Sequence, residues 1–267
     1  MLKRNKSYQW DAGHYARHSG SQYAWGLELI AKLNLTGHET VLDVGCGDGK
    51  LTAAIAEHLP QGSVIGIDSS KEMVELAGRR QADYPPARLK FEHLDVRELA
   101  ECNRFDRVFS NAVLHWIKDH PPVLVRVAKA LKSGGRLLFQ MGGRGNAAQV
   151  VATLDSLIKG KWAAYFSDFA FPYGFYGPQT YSQWLAEAGL KAVRVELIAK
   201  DMRHKGKEGF AGWIRSTWLP YLERVPPRDK ESFIADIVES YLAQHPPDDD
   251  GTVHVQMKRL EVEAVKR

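Results

Sequence analysis

Two cysteines in 267 residues, Cys46 inside a glycine-rich turn and Cys102 in a polar connection, exclude a disulfide framework and any zinc-ligand spacing. No apolar run approaches the ~20 residues of a membrane-spanning helix. The opening MLKRNKSYQW lacks the hydrophobic block of a secretory signal. There is no Lys/Arg block, and a formal charge of +4 is too mild to point to a nucleic acid. Repeats and low-complexity stretches are absent as well. These absences lead to the expectation of a soluble, reduced, cytoplasmic protein with neither a nucleic-acid nor a membrane partner. With 44% apolar residues, the chain has enough material for a large core.

What is present is a rhythm. From Thr40, short apolar runs bounded by turn residues alternate with amphipathic segments, which predicts strands at 41–44, 63–67, 89–93, 105–110 and 135–141. Runs this continuously apolar are buried on both faces, as in a parallel sheet covered by helices. Leu51, Ile55 and Leu59 mark one helical face, Ser69 with Glu72 reads as a capping box above Met73, and the helix at 122–131 stops at Ser133-Gly134-Gly135. A further helix is expected at 180–188 and a strand at 192–198. The last segment alternates Val253, Val255, Met257 and then Leu260, Val262, Ala264, which predicts an antiparallel strand with a bulge at Lys258-Arg259. The fold class expected is α/β: a doubly wound, mostly parallel seven-stranded sheet, its last strand antiparallel, with helical cap insertions. The divisions are an N-terminal helical region at 1–39 carrying Trp10, Tyr15, Tyr23 and Trp25, a nucleotide-binding core at 40–141, an aromatic-rich cover at 142–179, and the rest of the sheet at 180–267 with a helical insertion at 201–250.

The stretch VLDVGCGDGK, residues 41–50, decides which nucleotide the core holds. A phosphate-binding P-loop needs four residues between its first glycine and Gly-Lys, then Ser or Thr; here Gly45 and Gly49-Lys50 stand too close and Leu51 follows. A dinucleotide loop needs its third glycine at position 50, and an acid such as Asp48 at the helix mouth opposes a pyrophosphate. Asp43-x-Gly45-x-Gly47-x-Gly49, with Asp68 after the second strand, suits S-adenosylmethionine, which carries a sulfonium and an amino-acid tail in place of phosphates. Asp68 is placed to accept from both ribose hydroxyls, Asp95 can accept from the adenine amino group while the Val96 amide bonds the ring, and Asn111 stands where a doubly wound sheet opens its crevice.

These segments, with GIDSS, LDV and FSNAVLHW, resemble the class I S-adenosylmethionine-dependent methyltransferases. The early Trp10 and Tyr15, SNAVLHWIKDH and the ending from Gly177 are similar to the trans-aconitate and juvenile-hormone-acid methyltransferase group. The resemblance implies a small-molecule methyltransferase, O-methylating a carboxylic acid in the first reading, with N-, S- or C-methylation or a catalytically silent binding protein as alternatives. It implies cofactor contacts at Gly45, Gly47, Asp68, Asp95, Val96 and Asn111, with Gln22 at the methionine tail; Asp43, Cys46, Ser69 and Met73 flank these and complete the candidate set. His115 and Trp116 would line the reaction pocket, His115 as a wall residue or a base. No metal is expected. The aromatics between Trp162 and Tyr176 suggest a partly apolar pocket, and the cluster Arg203, His204, Lys205, Lys207 would hold an acidic substrate if one of them faced inward.

Overall fold

In the computed structural model residues 20–267 are described, so Trp10 and Tyr15 lie outside the described residues. The strands are β1 (Thr40–Val44), β2 (Ser63–Asp68), β3 (Leu89–His93), β4 (Phe105–Asn111), β5 (Leu131–Gly142), β6 (Leu190–Lys205) and β7 (Thr252–Lys266). They form a seven-stranded sheet in the order β3-β2-β1-β4-β5-β7-β6. Pairing is parallel from β3 to β5, and β7 runs antiparallel to both of its neighbours.

Both faces of the sheet are covered, which is why its strands read as unbroken apolar runs. Val41, Val64 and Phe109 pack on one face against Leu29, Ile30 and Ile55 from the helices Gly20–Ala31 and Lys50–Glu57. Leu42, Val44 and Ile65 point to the other face, towards Val123, Leu124 and Val127 of the helix Pro121–Ala130 and Tyr181 of the helix Pro178–Glu187. A third cluster belongs to the helices Ala148–Lys159, Gly206–Thr217 and Lys230–Gln244, which pack on Met202 of β6 and on Val253, Val255 and Met257 of β7.

Several local expectations are corrected. The cap of the helix Lys71–Gln81 is Ser70, not Ser69: Ser70 is the extended residue, and its hydroxyl oxygen accepts from the Met73 amide at 3.3 Å. The strand expected from 135 begins at Leu131, pairs with Phe105, and pushes residues 132–135 out as an irregularity before Arg136 meets Arg107. The cover contains a full helix, Ala148–Lys159, and β6 runs through Lys205, so residues 201–205 are strand where a helical insertion was expected. The bulge expected at Lys258-Arg259 is not there. β7 pairs without interruption from 252 to 263, and the register shift lies on β6 between Ala192 and Arg194. The parity change on β7 has another cause. Its outer half buries Val253, Val255 and Met257 under the helical insertion, while its inner half buries Leu260, Val262 and Ala264 on the opposite face.

Candidate functional site

The order of the strands reverses between β1 and β4, and a cleft of about 1210 Å³ opens at the carboxyl ends of β1 to β4. In the loop after β1, the amides of Gly45 and Cys46 donate to the Ile67 carbonyl at 2.8 and 3.0 Å, tying the loop to β2. Gly47 has φ +54, and a side chain placed on it would meet nothing within 4 Å, so its bare Cα faces the cleft. Asp68 closes β2 and accepts from the Gly47 amide at 3.0 Å and the Ser70 amide at 2.8 Å. Burial pushes its carboxyl up despite these two bonds.

Asp48 does not stand as a bare charge at the helix mouth. Lys50 pairs with it at 2.9 Å, and the Arg80 guanidinium lies 3.9 Å away. Discrimination between cofactors therefore shifts to other groups. The Asn111 side-chain amide donates to the Gln22 carbonyl at 3.0 Å, which turns its own oxygen away from that bond. That oxygen and the side-chain oxygen of Gln22 are buried without a donor among the described residues, and both residues line the cleft. Two acceptors left without donors fit an ammonium group, which the tail of S-adenosylmethionine carries and a pyrophosphate does not.

At the far end, Asp95 caps a short turn by accepting from the Arg97 amide at 2.8 Å. Burial alone would raise its carboxyl, but the bonds from the Arg97 side chain and amide outweigh this and hold it below the usual range. Val96, Met73, Ser69 and Cys46 also line the cleft. Burial, followed by the charges of Asp43 and Asp68, pushes the Cys46 thiol up, so no nucleophile forms there.

Asp43 is different. It is 2% exposed, lies behind the loop rather than in the cleft wall, and accepts from the Thr52 hydroxyl at 2.6 Å. Burial pushes its carboxyl up to about 7, with Asp68 adding repulsion. An unfolded aspartate titrates near ~4. Folding therefore favours the protonated form, and ionising Asp43 erodes stability as pH rises from the unfolded value through about 7. Asp43→Asn is expected to raise the melting temperature by a few degrees at about pH 8 and to leave it unchanged at about pH 4, a comparison that calorimetry at the two pH values makes directly.

His115 and Trp116 sit in one tight turn, Leu114–Trp116, but serve different spaces. Trp116 borders the large cleft and also an inner cavity of about 40 Å³ behind it, whereas His115 lines only the inner one. Gln22 and Ala112 join Trp116 at the border between them. Ala112 has φ +60, a strained conformation for a residue with a side chain, secured by its amide donating to the Gln140 carbonyl at 2.7 Å. Burial, then the charges of Arg259 and His120, hold the His115 imidazole well below its ordinary range, so it is neutral. The Gly142 amide donates to His115 Nδ1 at 3.4 Å, which assigns the proton to Nε2.

The aromatics of the cover divide. Tyr173 and Phe175, stacked at 5.3 Å, line the inner cavity, and Phe169 borders the outer cleft. Trp162 and Phe166 pack on Phe233 inside the helical insertion. Of the basic cluster, the His204 ring lies against Trp213, Arg203 pairs with Asp201 at 2.9 Å, and none of its members lines either cavity. The cation in the inner cavity is Arg259, 3% exposed, from β7. A signal for it was present, since 253, 255, 257 and 259 share one face of the strand. Among the described residues no group of metal-binding side chains occurs, and no helix is long and apolar enough to cross a membrane.

The sheet order, the glycine loop after β1 and the polar groups at or just past the ends of β2, β3 and β4 define a class I methyltransferase. A model of a methyltransferase domain matches residues 35–189, and the chain belongs to this family of S-adenosylmethionine-dependent enzymes. It is 31% identical over 255 residues to a trans-aconitate 2-methyltransferase of Mycolicibacterium gilvum, covering 94% of this chain and 95% of that one. A trans-aconitate 2-methyltransferase of Deinococcus radiodurans is 32% identical over 232 residues, covering 84% and 87%. Among solved structures, phosphoethanolamine N-methyltransferase 2 of Haemonchus contortus, in complex with S-adenosylhomocysteine, superposes with a TM-score of 0.60 at 20% identity, covering 96% of this chain and 57% of that one. A geranyl diphosphate methyltransferase in complex with its substrate and sinefungin gives 0.57 at 17% identity, covering 92% and 78%. These two share the fold.

Proposed function

We propose that the enzyme forms a methyl ester on a carboxylate of a small, partly apolar acid. The observation that carries this reading is the inner cavity: its wall holds Arg259 and the neutral His115 among aromatic side chains, and no Asp or Glu among the described residues lines it. An amine acceptor that arrived protonated would meet Arg259 as a like charge, whereas a carboxylate meets a cation and hydrogen-bond donors. The relatives named for trans-aconitate, an acid, support the same choice.

S-adenosylmethionine, when bound, supplies a methyl group already activated by its sulfonium. In this reading the Gln22 and Asn111 side-chain oxygens accept from the ammonium of the tail, Asp68 accepts from the ribose hydroxyls, and Asp95 with Val96 holds the adenine end. Trp116 shields the passage between cleft and cavity from water. His115 presents an Nε2 proton that orients a carboxylate oxygen. A carboxylate has no proton to lose, so alignment and dehydration by these walls are the contributions required of the protein, and positioning of this kind is worth up to about 7–11 kcal/mol. A cytoplasmic enzyme acting on a free metabolite, with no nucleic acid involved, completes the reading.

Incubation with methyl-labelled cofactor and a panel of small acids that includes trans-aconitate should give a product that releases labelled methanol in base. Label confined to base-stable products would overturn the assignment. Loss of a general base costs about 10²- to 10⁴-fold. His115→Gln is instead expected to keep turnover within about tenfold, because a side-chain N–H is retained, and single-turnover rates measure this.

A further inference from the structure

We propose that His120 is a positioning residue of the transfer site: its imidazole, oriented by the Tyr181 hydroxyl, clamps the turn that carries His115 and Trp116 and so sets the Trp116 ring between the cleft and the inner cavity. This rests on the reading of that border as the place of methyl transfer and adds to it the group that holds the border in shape.

His120 closes the stretch SNAVLHWIKDH, residues 110–120, yet it lines neither the cleft nor the inner cavity. It is 1% exposed. Its backbone stands at the head of the helix Pro121–Ala130, where its carbonyl accepts from the Leu124 amide at 3.0 Å and Pro121 and Pro122 fix the chain that follows. From this rigid base the ring turns back on the residues before it. Nε2 lies 2.9 Å from the carbonyl oxygen of Leu114, the first residue of the turn, and 2.8 Å from that of Ile117, just past its end. Carbonyls only accept, so Nε2 carries the proton and shares it between them. Nδ1 is then the acceptor, and the Tyr181 hydroxyl donates to it at 3.2 Å. Burial holds the imidazole below its ordinary range, which keeps it in this neutral form.

A turn this short leaves carbonyls without partners of its own, so the outside groups that take them decide where its side chains point. His120 takes the Ile117 carbonyl and shares that of Leu114 with the Ile117 amide, while the Gly174 amide donates to the His115 carbonyl at 2.8 Å. The two clasps meet. A Cβ on Gly174 would stand 2.5 Å from the Ile117 carbonyl oxygen and 3.0 Å from His120 Nε2, so the cover touches the turn beside the His120 ring. Close by, the Tyr176 hydroxyl donates to the Lys118 carbonyl. The rings of Tyr176 and Tyr181 meet that of His120 edge-on at 4.9 and 5.5 Å, wedging it in place.

The Trp116 indole depends on this clamp. It packs edge-on against Tyr173 at 5.1 Å and borders both spaces, so a shift of the turn would move the wall of each at once. Alignment is what the transfer requires of these walls, and a misplacement of about 1 Å costs on the order of a hundredfold in rate. His120 therefore acts on the reaction through Trp116 without touching cofactor or acceptor.

The test uses the full chain with S-adenosylhomocysteine bound and ¹⁵N-labelled tryptophan. The indole resonance of Trp116, assigned with Trp116→Phe, should shift or broaden in His120→Ala, while that of Trp162, whose N–H donates to Asp236 at 2.7 Å, stays in place. In turnover of trans-aconitate, or of whichever acid of the panel is esterified, His120→Ala should lower kcat on the order of tenfold to a hundredfold. Calorimetry should find S-adenosylhomocysteine bound within about threefold of the wild type. His120→Gln, whose amide N–H groups can serve both carbonyls, should recover part of the lost rate, and Tyr181→Phe, which deletes only the hydroxyl, should cause a smaller fall. An unmoved Trp116 resonance, or a kcat within about twofold of the wild type in both His120→Ala and Tyr181→Phe, would overturn the clamp and leave ester formation standing. A fall in kcat matched by an equal loss of cofactor binding, or by movement of the Trp162 resonance, would mark general loosening and overturn it too. A wild type that esterifies no acid would sink ester formation, and the Trp116 resonance, which needs no acceptor, then decides the clamp alone. If His120→Ala fails to fold, Tyr181→Phe, which keeps both rings, carries the same measurements.

Discussion

Asp68→Ala is expected to weaken binding of S-adenosylhomocysteine by on the order of a hundredfold or more, the largest effect of any single change at the cleft. The carboxylate has two tasks. Within the protein it ties the Gly47 amide at 3.0 Å to the Ser70 amide at 2.8 Å, fixing the glycine loop against the next helix. Towards the ligand it closes β2 at the cleft wall, where ribose hydroxyls would reach it. Hydrogen bonds to a charged acceptor contribute about 1.5–3 kcal/mol each, and alanine removes all of them together. Asp68→Asn keeps one acceptor and should fall between the wild type and the alanine variant. Titration calorimetry with S-adenosylhomocysteine measures both. An alanine variant that binds within about threefold of the wild type would contradict the assignment of this carboxylate.

Gly45→Ala is expected to be the most destabilising single methyl group that can be added to the loop. Gly45 has φ +74, and a Cβ there would stand 2.3 Å from Val113 Cγ2 and 2.7 Å from Val113 Cβ. The left-handed backbone costs a residue with a side chain about 1–2 kcal/mol, and overpacking adds about 1–3 kcal/mol. In a protein of this size the sum corresponds to a fall in melting temperature on the order of 5–15 °C. Val113→Ala removes the two closest methyl contacts but leaves Val113 Cβ at 2.7 Å and the backbone strain untouched. The double variant should therefore recover part of the loss. Strictly additive effects in a thermal-unfolding double-mutant cycle would show that the two side chains do not meet.

The gathering of Gly47, Asp68 and Asn111 at one cleft was legible in the sequence because its parts are local. A glycine turn, an acid at the end of the next strand and an amide at the end of β4 each announce themselves within a few residues, and parallel pairing brings them to one edge. The inner cavity was not legible, because Arg259, Trp213 and Trp218 come from β7 and from the helical insertion and meet only through packing. The orientation of His115 was hidden for a related reason. In a turn with about three residues per revolution, neighbouring side chains point roughly a third of a circle apart, so His115 and Trp116 face different spaces although they are adjacent in the chain. The helix Ala148–Lys159 was obscured by the glycines on either side of it, and Asp43, conspicuous in the loop motif, supports the loop from behind.

β7 both joins β5 to the edge strand β6 and bears the pocket's cation, with Met257 and Arg259 on one side of its ribbon and Leu260 and Val262 on the other. Sliding that ribbon by a single residue would exchange its two sides along the entire length. Slid so that Leu260 takes the seat of the guanidinium, the strand would drive the Glu261 carboxylate into the place of Leu260 in the greasy interior of the other core. Acceptor choice and foldedness are thus welded to one alignment, and drift in the pocket through this strand can proceed by changing side chains but not by shifting the strand.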